Sequence, residues 1–262
     1  MAQCPKEYHI FGYQISHRGI QGDVVRALQY IVSGQNGRYM ACVNPHSLVV
    51  ASSDSALKAA LQNADILIPD GTGIVMAARL LHLPIKERVA GSDFFLALSD
   101  TVEKSGGLKY FFLGSHEDVL KRICDRLNTE YPSIEVCGAY SPPYRDEFNE
   151  YENEAMINLI NKAKPDVLWV GMTAPKQEKW IYKNKDRLAV PFIAAIGAVF
   201  DFYAGTVKRP SAVWQKLGLE WLGRLIQEPR RLWRRNFVSM PIFLYWVLKE
   251  KLRRVFGGKS IC

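Results

Sequence analysis

The stretch ILIPDGTGIV, Ile66–Val75, decides the fold. Its first three residues form a short apolar run of the kind that fills a buried strand. Pro69-Asp70-Gly71-Thr72-Gly73 then stops the run, and helical spacing follows through Val75, Met76 and Leu80. The same alternation extends in both directions. Strands are predicted at Tyr39–Val43, Tyr110–Leu113, Ile134–Cys137, Val167–Val170 and Phe192–Ile196. Helical spacing joins Leu57, Ala60, Leu61 and Ala64, with Ser53 or Asp54 as N-cap, and recurs at Val119, Ile123, Leu127 and at Met156, Leu159, Ile160, Ala163. Strands alternating with helices predict an α/β, Rossmann-like, mostly parallel sheet with helices on both faces. Ligands of such sheets bind beyond the carboxyl ends of the strands.

Four strand-end loops are therefore candidate sites. Tyr39–Val43 runs into Asn44-Pro45-His46-Ser47. In the second loop Asp70 precedes Gly71, Thr72 and Gly73, which presents an acid and free N–H groups at a helix start. That arrangement can hold a phosphate or position a base, or Asp70 can simply cap the helix. Val167–Val170 runs into Gly171 and Thr173, with Pro175 read as the first helical position. Capping accounts for Thr173 and Pro175 but not for the polar triplet Lys176-Gln177-Glu178 behind them. The fourth loop places Asp201 among aromatics, where a carboxylate serves the structure or accepts from a ligand.

The chain has 262 residues, 48% hydrophobic and 23% charged, which excludes disordered, collagen-like and disulfide-scaffold classes. Five scattered cysteines without a CxxC pair point to a reducing compartment. Residues 1–10 carry no secretory-signal pattern, and the longest apolar run, Phe237–Leu248, is too short to span a bilayer and contains Pro241. The net charge of +8 is unevenly spread. Residues 207–262 hold 13 Lys and Arg against 3 Asp and Glu, whereas residues 1–206 hold 21 and 23. Two units are thus expected: a Rossmann-like α/β domain over 1–206 and a basic, helical, amphipathic C-terminal appendage over 207–262. Pro229 is expected to open a second helix within the appendage. The tail's Arg, Trp and Leu suit an interfacial segment, a lid that carries guanidinium groups to a diphosphate, or a solvated helix. A nucleic-acid partner is not expected, because no recognised module accompanies the charge.

The sequence lacks GxxxxGK[ST], GxGxxG, HExxH and DxD, so the fingerprints of nucleotide hydrolysis, dinucleotide redox and metal-bound diphosphate chemistry are missing. No metal or other cofactor is expected.

Six blocks carry a resemblance. They are VNP (Val43–Pro45), IPDGTGIV around Asp70, ERVAGSDF (Glu87–Phe94), GMTAPKQEKWI (Gly171–Ile181), IGAVFDFYAGTVKRP (Ile196–Pro210) and GLEWLGRLIQEPRRLWRR (Gly218–Arg235). In this order they resemble the WecG/TagA/CpsF family of bacterial glycosyltransferases. The resemblance implies inverting, metal-independent transfer of an N-acetylmannosamine-type sugar, or a related hexose or uronic acid, from a UDP-sugar. The acceptor implied is GlcNAc on undecaprenyl diphosphate, in assembly of teichoic acid, enterobacterial common antigen, capsule or exopolysaccharide. It implies Asp70 as catalytic base with Asn44 beside it, and Gln177 and Asp201 at the donor site. Arg224, Arg231 and Arg234 would belong to an appendage that closes over the site and touches the membrane. Gly71, Thr72, Gly73, Arg88, Gly171 and Thr173 complete the expected substrate contacts. Cys42 stands where members often carry Thr. The implied location is the inner face of the cell membrane, peripherally bound, with self-association left open. The alternative is a non-catalytic nucleotide-sugar-binding scaffold of a polysaccharide assembly complex.

Overall fold

The computed structural model describes residues 8–207 and 229–256. Among them six strands form one sheet: β3 (Arg38–Val43), β4 (Ile66–Pro69), β5 (Lys109–Gly114), β6 (Glu135–Tyr140), β7 (Val167–Gly171) and β8 (Phe192–Ala195). Their order is β4-β3-β8-β7-β5-β6, and every pair is parallel. All six expected strands are present. The largest difference is at β6, which runs three residues past Cys137. It is an edge strand without a fully buried residue, so its apolar signal fades before its pairing ends.

A small antiparallel ribbon, β1 (His9–Ile10) and β2 (Tyr13–Gln14), precedes the sheet. Its two-residue turn has φ of 52° at Phe11 and 83° at Gly12. Such turns usually announce themselves as Asn-Gly or Asp-Gly, so Phe-Gly gave no signal.

Alternation along the strands sends Met40, Ile68, Phe112, Trp169 and Phe192 to one face. There they meet α1 (Gly19–Ser33), α5 (Gly91–Ser105), α6 (Glu117–Glu130) and α9 (Val199–Ala204). An edge-on aromatic cluster around Trp169, with Phe95 at 4.9 Å and Tyr110 at 5.4 Å, fills this side. Ala41, Val43, Leu67, Leu168 and Val170 face the other way. That face is covered by α2 (Pro45–Ala51), α3 (Ser55–Gln62), α4 (Thr72–Leu80), α7 (Glu150–Ala163) and α8 (Lys176–Asn184). The neighbouring strands β3 and β8 therefore send their following helices, α2 and α9, to opposite faces. Chain divergence of this kind opens a crevice at the strand ends.

Pro229 begins α10 (Pro229–Arg234), as expected, and a π-helical turn, Arg235–Ser239, leads into α11 (Met240–Phe256). The wide turn stands just ahead of Pro241, which has no N–H to return to the preceding turn. Phe243 and Val247 of α11 are buried in the core shared with α2 and α4. Phe11 packs edge-on against Phe243 and Trp246, and Arg254 Nη1 donates to the Leu81 carbonyl at 3.0 Å. The opposite face of α11 exposes Leu244, Tyr245, Leu248, Leu252 and Phe256. Among the described residues, no helix is long and apolar enough to cross a membrane.

Candidate active site at the sheet crevice

On the β3–β4 side, two helix starts are pressed together. Asn44 caps α2: its Oδ1 accepts from Ser47 N at 3.0 Å, and Ser47 Oγ accepts from Asn44 N at 2.8 Å. Asp70 follows β4, and its backbone N–H donates to Val43 O at 2.8 Å. Gly71, at φ 104° and ψ 146°, takes the capping position of α4 and has no side chain with which to cap. Asp70 itself stands one residue outside the cap, its backbone tied to Val43, the residue before Asn44. A Cβ at Gly71 would lie 3.9 Å from Asn44 Cβ. Gly73 is tighter still, since a Cβ there would meet Pro45 Cγ at 2.6 Å and Met240 Cε at 3.3 Å. Thr72 is the first residue of α4 and is half-buried. Arg88 arrives on a segment tied to the end of β4 by Val89 N donating to Pro69 O at 3.0 Å. Its guanidinium pairs with Asp93 of α5 at 3.5 Å.

The β7–β8 side is closed rather than displayed. Gly171 is buried where β7 passes Phe200, and a Cβ there would fall 2.7 Å from that ring. Thr173 is exposed at φ 55°, and its carbonyl, not its hydroxyl, accepts from Lys176 N at 3.1 Å. Pro175 follows a cis peptide bond and is the N-cap residue, one position earlier than expected. Lys176 packs over the Phe148 ring, and Lys179 pairs with Asp54, which caps α3. Gln177 and Glu178 are turned inward, 4% and 3% exposed, and Gln177 Nε2 donates to Glu178 Oε1 at 2.9 Å. Burial pushes the Glu178 carboxyl up to about 7, against the hydrogen bond from Gln177, which favours the charged form. Gly197, at φ 40°, lies directly against the Gln177 amide. Asp201 serves the exit of α9: its carbonyl accepts from Thr206 N at 3.0 Å and from Thr206 Oγ1 at 3.1 Å.

Cys42 joins the two sides. Its Sγ lies 3.6 Å from Ala195 O as donor and accepts from the Gly91 N–H at the start of α5. Burial, reinforced by the negative charges of Asp70 and Glu178, pushes the thiol well up. It is a neutral bridge between β3, β8 and α5.

The structure thus gathers Asn44, Asp70, Gly71 and Gly73 on one side and Gln177 and Gly197 on the other. Arg224 lies outside the described residues, as does the side chain of Arg231. Arg234 is exposed, and burial together with the nearby charge of Arg235 lowers the His46 pKa on α2. His46 Nδ1 is 2.8 Å from Ser239 Oγ, which fastens the C-terminal segment one turn from Asn44. Sequence reasoning missed Arg235, His46, Gly197 and Glu178 as site elements. Glu178 left a trace as part of a polar triplet that capping did not explain, and His46 and Gly197 lay in strand-end loops without a role of their own. Among the described residues no group of three or more His, Cys, Asp and Glu gathers at metal-binding distance.

A doubly wound parallel sheet with an acid at a strand end beside a loop crevice is the architecture of α/β proteins that bind ligands at the switch point. The chain belongs to the glycosyl transferase WecG/TagA/CpsF family, whose sequence model matches residues 8–256. Among its relatives is an N-acetylglucosaminyldiphosphoundecaprenol N-acetyl-beta-D-mannosaminyltransferase of Bacillus spizizenii, 31% identical over 215 residues, 82% of this chain and 80% of the relative. The Bacillus subtilis protein of the same name is 31% identical over 232 residues, 88% of this chain and 87% of its own. The one from Staphylococcus aureus strain MW2 is 28% identical over 219 residues, 82% of each. The protein is a glycosyltransferase.

Proposed function

We propose that the protein transfers an N-acetylmannosamine-type sugar from a UDP-sugar, with inversion, to the GlcNAc of an undecaprenyl-diphosphate-linked acceptor at the inner face of the cell membrane. The observation that carries the reading is the position of Asp70 at the carboxyl end of β4, one residue outside the cap of α4, with its backbone bonded to Val43 next to Asn44. Inversion needs one base. Asp70 takes the acceptor hydroxyl proton while the new C–O bond forms at the anomeric carbon and the bond to UDP breaks on the opposite face. Charge grows on the departing diphosphate. The N-termini of α4 and α8, Arg88 and the tail arginines are suited to offset it. Names of relatives 28–31% identical over most of the chain support both the sugar and the lipid-linked acceptor. The exposed apolar face of α11, with Lys249, Lys251 and Arg253 on the same helix, suits a helix lying on an anionic lipid surface.

The test is UDP release by purified protein given a panel of UDP-sugars with and without a lipid-diphosphate-GlcNAc analogue. Acceptor-dependent release from UDP-N-acetylmannosamine is expected. Release from none of the panel refutes the reading.

A further inference from the structure

Gln177 and Glu178 leave two buried oxygens unsatisfied. Gln177 Oε1 and Glu178 Oε2 have no hydrogen-bond partner, although both residues are almost fully enclosed. Buried polar atoms are normally paired, and leaving one unpaired costs stability, so two in adjacent residues need a reason. The turn above them does not supply the missing donors. Gly197 N and Ile196 N both donate to Val170 O, at 3.4 and 3.0 Å, and Val199 N donates to Ile196 O at 3.0 Å.

The orientation of the Gln177 amide is not arbitrary. Its Nε2 donates to Glu178 Oε1 at 2.9 Å. In this orientation the amide offers its N–H to an oxygen that accepts in either protonation state of Glu178; turned over, it would offer only an acceptor there. The whole amide lies flat against Gly197, where a Cβ would come within 3.1 Å of Oε1 and within 3.3 Å of Nε2. Gly197 follows β8, the strand over which the helices diverge.

We propose that Glu178 is a positioning residue for donor recognition: it holds the Gln177 amide so that Oε1 remains as an acceptor for an N–H or O–H of the bound nucleotide-sugar. The proposal rests on the crevice being the donor site. Glu178 acts only through Gln177 and touches neither sugar nor nucleotide. Its neighbour Cys42 cannot replace it, because that thiol already bridges Ala195 O and Gly91 N.

Steady-state kinetics with UDP-sugar and acceptor analogue, plus thermal melts, test this. Glu178→Leu removes the acceptor for Nε2, and Glu178→Asp draws it back by one methylene. Each is expected to raise the donor KM about tenfold, as is Gln177→Ala, with the acceptor KM unchanged. Glu178→Gln offers an acceptor oxygen at the same reach and is expected to stay within about threefold of wild type. The double variant Gln177→Ala/Glu178→Leu should be no worse than Gln177→Ala alone, because one residue works through the other. Should Glu178→Leu fail to fold, the Asp and Gln variants carry the comparison. Donor KM unchanged in the Leu and Asp variants, or effects that multiply in the double variant, would overturn the proposal while leaving the transfer reading intact. Wild-type protein that turns over no UDP-sugar removes both.

Discussion

The two sides of the crevice solve opposite problems. On the β3–β4 side the start of α2 is closed by the Asn44–Ser47 capping box, while Gly71 caps α4 with no side chain and the Asp70 backbone is tied to Val43, so Asp70 stands at the strand end, half-buried, one residue outside the cap. On the β7–β8 side the acid is buried, pushed toward neutrality and joined to an amide, with two oxygens left wanting. A carboxylate that must remove a proton has to be ionised and reachable. One that orients a neighbour works best enclosed. The difference teaches that position at a strand end does not assign a role to an acid; its enclosure and its duties in the backbone do.

The largest test of that contrast is Asp70→Asn, which keeps the shape and removes the base. Its kcat is expected to fall about 10²–10⁴-fold, with donor KM little changed. Near-normal turnover would erase the distinction between the two acids.

The second test uses pH on the buried side. Glu178 is raised from 4.5 to about 7 and Asp23, buried against Ser16 and Arg18, from 3.8 to about 6. For an acid whose pKa is raised on folding, the unfolded chain gives up the proton first. The stabilising contribution is therefore present below the unfolded value and is lost as pH rises through the folded one. Relative to wild type, Glu178→Gln should gain on the order of 3 kcal/mol between pH 4.5 and 7.5, read by chemical denaturation at each pH. A difference that does not vary with pH would show that Glu178 is not held near neutrality.

Gly73→Ala comes next. Its methyl would lie 2.6 Å from Pro45 Cγ and force the two helix starts apart, at a cost of about 1–3 kcal/mol in stability, with a parallel loss of kcat. Gly205→Ala, with open space around the glycine but φ at 73°, is the control for backbone strain alone and should leave kcat unaltered. The smallest effect is expected behind the Asp70 side, where α11 backs α2 and α4 with one face and exposes the other. Leu248→Glu should weaken sedimentation with anionic vesicles about tenfold and leave transfer to a water-soluble acceptor unchanged.

The strands were legible because a strand covered on both faces must be apolar throughout, and the runs at Val167–Val170 and Phe192–Ile196 had no other use. The α5 helix went unread. Phe94, Phe95 and Leu98 are all buried because α5 packs on the sheet with α1 and α9 against its flanks, which broadens its apolar stripe beyond a simple repeat. Asp70 was legible as an acid at a strand-to-helix junction. Its exact place relative to α4 was not, since that depends on where Gly71 starts the helix. Gln177 was expected at the donor site, but its partner Glu178 is defined by a burial that no local pattern announces.

The sequence by itself determined the six strands, the strand-end loops and the basic charge of the tail, because each follows from local spacing and composition. Only the tertiary structure decided which loops share a crevice, which acid is enclosed and which face of α11 is covered. Those depend on strand order and helix packing, which bring Asn44 to Asp70 across 26 residues and Ser239 to His46 across 193.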